Sequence, residues 1–119
     1  MKEPLNVGTI DQILTAPDIG TELMEVPEWG CAIRLRGISK RQQSDIREES
    51  TRGGQVVGEL VVLLTFIEGV VEPQFTRAHI AQLQERAASV IDRVVARIFE
   101  LSGLTEDDNR RMMERFPTR

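Results

Sequence analysis

The sequence predicts an α+β fold, mainly α, in which one β-hairpin packs with a small helical bundle. Three observations predict it. Around a central Pro27-Glu28-Trp29-Gly30, apolar and charged residues alternate with a period of two. Residues 56–67 are apolar almost all round. From Ile80 to Leu101, apolar residues recur every three or four positions.

The hairpin, at about 22–36, has arms near 22–27 and 31–36. Met24 and Val26 flank Glu25, and Cys31, Ile33 and Leu35 alternate with Ala32, Arg34 and Arg36. Such a period puts one face on the core and the other in water. Pro27 fixes its own φ and lacks an N–H, and Gly30 permits positive φ, so the intervening residues read as the turn. Trp29, the only tryptophan, then sits at the turn tip and needs cover from the chain or from a partner. Cys31, the only cysteine, shares the alternating face of Ile33 and Leu35 and reads as a buried structural thiol.

The helices follow in order. Thr9 and Gln12 form a capping-box pattern ahead of a short helix, 10–15, which Pro17 ends. Its stripe of Ile10, Ile13 and Leu14 covers about one and a half turns, too little to stand alone, so it is expected to pack on the hairpin. Ser39 and Gln42 repeat the capping pattern before 40–51. That stretch is nearly all polar, either a solvated helix touching the body through Ile46 or a loop, and Gly53-Gly54 breaks it. For 56–67 the β-branched residues allow a strand, but Leu60, Leu63, Leu64 and Ile67 share a helical face, which favours a core helix. A loop punctuated by Glu68-Gly69 and Glu72-Pro73 comes next. Thr76 then caps a helix at 77–101, with Phe75 and Ile80 as a hydrophobic staple. Its stripe is Ile80, Leu83, Ala87, Ile91, Val94, Ile98 and Leu101, with a break available at Ala87-Ala88. Gly103 and Leu104 suit a Schellman ending. A last helix, 106–115, opens on Glu106, Asp107 and Asp108 and carries a thin stripe of Met112, Met113 and Phe116. Residues 1–104 read as one globular domain and 105–119 as a C-terminal helix and tail available to a partner.

Composition narrows the function. A chain of 119 residues is one domain with enough core to fold without staples. Its net charge of −4 argues against nucleic acid. A single cysteine cannot form an intrachain disulfide, which suits a reducing cytoplasm. The first residues hold no apolar signal-peptide core, and no run approaches the ~18 apolar residues of a membrane span. Neither a signal peptide nor a membrane partner is therefore expected.

Candidate chemistry is sparse. A Cys31–His79 dyad would need hydrogen-bond reach and an orienting third group, and neither is indicated. Glu106, Asp107 and Asp108 occupy consecutive positions that do not face one another, so they read as a helix N-terminus rather than a metal site. Gly53-Gly54 belongs to no phosphate-binding motif. Arg34, Arg36, Arg41, Arg47 and Arg52 are interleaved with Asp45, Glu48 and Glu49, as on a solvated face. No catalytic, cofactor-binding or metal-ligating residue is expected, and no cofactor. Partner binding is expected at Trp29, Met112, Met113 and Phe116, apolar groups whose burial the local pattern does not secure.

A set of stretches carries a resemblance. Ile13-Leu14-Thr15-Ala16-Pro17-Asp18-Ile19 is followed by Met24-Glu25-Val26-Pro27-Glu28-Trp29-Gly30, then Phe75-Thr76, Leu83 and Leu101-Ser102-Gly103-Leu104-Thr105-Glu106-Asp107. In order and spacing, over about 10–108, they resemble the tail assembly chaperones of long-tailed bacteriophages and prophages. Residues 68–72 depart from that pattern, which has a more acidic turn there. The resemblance implies a non-enzymatic factor of the host cytoplasm that acts before the tail is finished. Many copies would self-associate along the tape measure protein, keep it from aggregating, and help recruit the major tail tube protein, leaving none in the mature virion. A structural tail completion or connector protein is the alternative, and a small DNA-binding regulator a more distant one.

Overall fold

The computed structural model describes residues 5–104 and 107. Its elements are α1 (Ile10–Thr15), β1 (Thr21–Val26), β2 (Cys31–Arg36), α2 (Lys40–Glu49), β3 (Thr51–Arg52), β4 (Gln55–Val56), α3 (Gly58–Gly69), β5 (Val70–Glu72), α4 (Ile80–Leu83) and α5 (Ala88–Leu101). The fold is α+β and mainly α. The hairpin is present with Val26 opposite Cys31 and Thr21 opposite Arg36. A 3-10 turn at Pro27–Trp29 joins its arms, and Gly30, at φ 67°, closes the turn by donating its N–H to the Pro27 carbonyl at 3.0 Å.

A third strand corrects the loop expected after Gly69. β5 pairs antiparallel with β2, placing Val70 opposite Leu35, so β2 is the centre of a three-stranded sheet. Val70 is apolar and β-branched, and it is buried. Packing available only in the assembled fold therefore decides a segment too short to show a period. Gly53-Gly54 likewise does more than break a helix. Both residues have positive φ and join β3 to β4, the two-residue hairpin turn that such a pair favours.

Residues 40–49 form an ordered helix. Its capping box is complete, the Gln42 N–H donating to Ser39 Oγ and the Ser39 N–H to Gln42 Oε1. Gln43 and Ile46 are buried, and the helix packs on α3. α3 confirms the helical alternative for the apolar stretch, two residues later than expected at each end. Val61, Leu63, Leu64, Phe66 and Ile67 are all buried, as a helix without a polar face must be.

The long C-terminal helix is divided. A 3-10 turn at Arg77–His79 leads into α4, residues 84–87 turn away, and α5 begins at Ala88. Ala87 lies off the stripe, exposed and extended at φ −57° and ψ 127°, and its carbonyl accepts from the Val90 and Ile91 N–H groups. Gln84, Glu85 and Arg86 offer nothing apolar to hold a continuous helix on the core there. The Schellman ending is as expected. The Leu104 N–H donates to the Phe99 carbonyl at 2.8 Å and the Gly103 N–H to the Glu100 carbonyl at 3.0 Å, with Gly103 at φ 78°.

The core lies between the sheet's inner face and helices α3 and α5. Val26, Ile33, Leu35 and Val70 of the sheet meet Leu64, Phe66, Val94 and Ile98 there. The outer face, including Thr21, Leu23, Glu25, Ala32, Arg34 and Arg36, is exposed. Apart from Asp107, the helix expected at 106–115, and with it Met112, Met113 and Phe116, lies outside the described residues.

Candidate functional site

Trp29 is half-buried, and its cover comes from the chain. Its ring meets Phe66 edge-on at 6.1 Å, Phe66 meets Phe75 at 5.2 Å, and Phe75 meets His79 at 5.5 Å. All three contacts are T-shaped, the arrangement that sets a ring's positive edge on its neighbour's face. A ribbon of rings thus runs from the hairpin tip through the core to His79 at the end of the 77–79 turn. The remainder of Trp29 is left at the surface.

The tip is also tied by charge. Arg93 on α5 makes two hydrogen bonds to Glu28, Nη1 to Oε2 at 2.9 Å and Nη2 to Oε1 at 2.7 Å. One turn later Arg97 grips Glu22 at the base of β1 in the same way, at 2.8 and 2.6 Å, and also reaches Glu100. On the far side Arg77 pairs with Glu49, joining the 77–79 turn to α2. Hydrogen bonds from Arg93 and from its own backbone N–H hold the Glu28 carboxyl down at about 2. Arg97 and Arg77 lower Glu22 and Glu49, and each arginine is raised in turn by its carboxylate.

These directions fix the sign of a pH effect. Unfolded glutamates take up protons near the ordinary 4.5, whereas folded Glu28 resists until about 2. Its contribution is therefore complete above the unfolded value and fades as pH falls through that window. In urea titrations, the Glu28→Gln midpoint should fall less than that of the wild type between about pH 5 and about pH 2.5. Parallel losses in the two proteins would mean that the pair does not hold the hairpin.

Two expectations are corrected. Cys31 is exposed rather than buried. It opens β2 beside the turn, and the buried row begins only at Ile33. The second concerns α1, which does not pack into the hairpin: none of its residues is buried. Ile10, Ile13 and Leu14 are 76%, 66% and 76% exposed, and Leu5 and Val7 ahead of them fully so. The helix is held by its own bonds, the Thr9–Gln12 capping box and a 2.7 Å bond from Thr15 Oγ1 to the Asp11 carbonyl. Its connector is fixed elsewhere, since the Gly20 N–H donates to Leu101 at the end of α5. Five of the seven large hydrophobic residues exposed among the described residues lie on this one short segment. A textual signal for it exists, because no Lys or Arg occurs between residues 3 and 33 and so no long basic stem could cover the stripe.

Reactive groups are not brought together. No hydrogen bond links Cys31 to His79 among the described residues. His79 Nδ1 accepts from the Thr76 N–H at 3.0 Å, which makes it a cap for its own turn. Among the described residues no three His, Cys, Asp or Glu side chains are grouped as a metal site requires. No described helix is long and apolar enough to cross a membrane.

Comparison with known protein families, with curated proteins and with solved structures finds no match to this chain. The likeness to tail chaperones therefore stands on the quoted stretches alone. The residues of those stretches divide into two groups. Val26, Leu83, Phe75, Trp29 and Leu101 are buried or packed against the core, while Ile13 and Leu14 are open to solvent.

Proposed function

We propose that this chain is a non-enzymatic assembly chaperone for the tails of long-tailed phages or prophages. It binds the tape measure protein during tail morphogenesis in the host cytoplasm and helps recruit tail tube subunits. The observation that carries this reading is the uncovered apolar stripe of residues 5–14. A folding body gains nothing from such a stripe, and exposed apolar side chains grouped on one segment mark a surface made for another molecule. Trp29 and the Met112, Met113 and Phe116 group supply further apolar contact, and methionines adapt to varied partners.

The test is co-expression of the full chain with a tape measure protein of a long-tailed phage, taken from the same genome. The wild type should keep that protein soluble and co-purify with it. Ile13→Asp with Leu14→Asp should leave the fold intact by circular dichroism and cut recovery of the complex at least tenfold. Equal recovery with the variant would sink the stripe as the contact. Detecting the chain by mass spectrometry in finished particles would favour a structural tail component instead.

A further inference from the structure

The segment before Gly20 and the segment after Gly103 leave the domain at one corner. The Gly20 N–H donates to the Leu101 carbonyl at 3.2 Å, and the Gly37 N–H to the Gly20 carbonyl at 2.9 Å. The Ile38 N–H donates to Ser102 Oγ at 2.7 Å, and that hydroxyl donates to the Ile98 carbonyl. The two segments are chemical complements. Residues 5–18 carry the bare stripe together with Asp11 and Asp18 and no basic residue. Residues 109–119, outside the described part, combine Met112, Met113 and Phe116 with Arg110, Arg111, Arg115 and Arg119 against the single Glu114.

We propose that residues 109–119 dock on the exposed apolar stripe of residues 5–14 of the same chain, their arginines facing Asp11 and Asp18. Reach permits it. Ile13 lies seven positions from Gly20 and Met112 eight positions from Leu104, and each run extends at most about 25–29 Å. Chemistry selects it over the other occupants. Two copies of residues 5–18, an acidic N-terminal arm, would set like charges against each other. A membrane surface calls for basic residues on the polar side of the stripe, and the arm has none. The stripe is apolar, and the charges beside it, Asp11 and Asp18, are acidic. Three apolar side chains flanked by cations match it in both respects. This contact rests on the same stripe as the proposed function: residues 109–119 hold it until a partner takes their place, and failure of the contact would leave the stripe open to that partner and the proposed function standing.

The test uses the full chain with Cys31→Ser, Ile13→Cys and Met113→Cys. Mild oxidation at low micromolar protein should convert both thiols into a disulfide within one chain, read as a fast-migrating monomer on a non-reducing gel. Adding Arg110→Glu, Arg111→Glu and Arg115→Glu should slow that cross-link more than tenfold. Cross-linking only between chains would make a second copy the occupant and overturn the proposal. So would a rate that the charge reversals leave unchanged, since that describes tethered collision. As a second measurement, amides of residues 10–15 should exchange with deuterium at least tenfold faster in Met112→Asp/Met113→Asp/Phe116→Asp than in the wild type. Equal exchange would also overturn it.

Discussion

Phe66→Ala is expected to destabilise the protein by about 3–5 kcal/mol, the range for truncating a fully buried phenylalanine. Phe66 is wholly buried on α3, with Trp29 on one side and Phe75 on the other. Truncation would leave a cavity that two large neighbours border, and neither could fill it without leaving the surface it covers. A domain of this size has about 5–15 kcal/mol in all, so about a fifth or more of its stability would go. Urea denaturation followed by circular dichroism gives the magnitude. Trp29 fluorescence adds a local reading, because loss of the edge-on contact should shift its emission to the red even where the fold persists. A loss under about 1 kcal/mol would mean that the ring ribbon is not part of the core.

Gly37→Ala is expected to cost about 1–3 kcal/mol or more, as overpacking against a rigid neighbour does. A β-carbon there would lie 2.5 Å from the Leu101 carbonyl oxygen and 2.8 Å from the Ser102 nitrogen. Both are backbone atoms at the end of α5, so no side chain can swing aside. The same residue donates its N–H to Gly20. The alanine would therefore push apart the corner where β2, α5 and the approach to β1 meet. Gly30 provides a control, since open space surrounds it and only its φ of 67° opposes a side chain. Gly30→Ala should cost clearly less than Gly37→Ala in the same titration, and the reverse order would contradict the packing described.

Legibility in the sequence follows how local each interaction is. Hairpin, caps and helix ends are governed by residues within a few positions of one another, and the Thr9, Ser39 and Gly103 signals all have their expected geometry. β5 was not legible because three residues show no period and their partner lies some 35 positions away along the chain. The division at Ala87 was legible only as a weak point, since the stripe alone does not tell whether an alanine faces the core. The misjudged burial of Cys31 and α1 has another origin. Alternation and helical stripes say which side chains share a face, and they do not say whether anything lies opposite. For α1 that is decided by one backbone bond, from Gly20 to Leu101, which sends the connector to the end of α5. Trp29 lies at the turn tip as the alternation implies, whereas Ile10, Ile13 and Leu14, expected to pack on the hairpin, are open to solvent.

The anchorage of Gly20 has a mechanical consequence. A β-hairpin tugged from a loose end unzips one rung after another, and each rung gives way at low force. Here the strand that follows the arm is not loose at its start. Traction applied through residues 5–19 reaches Gly20 first, where bonds to Leu101 and Gly37 must yield together with the Arg97 grip on Glu22 next door. Strain from whatever the arm holds is thereby shared among β1, β2 and α5 at once, and the body resists it as a unit.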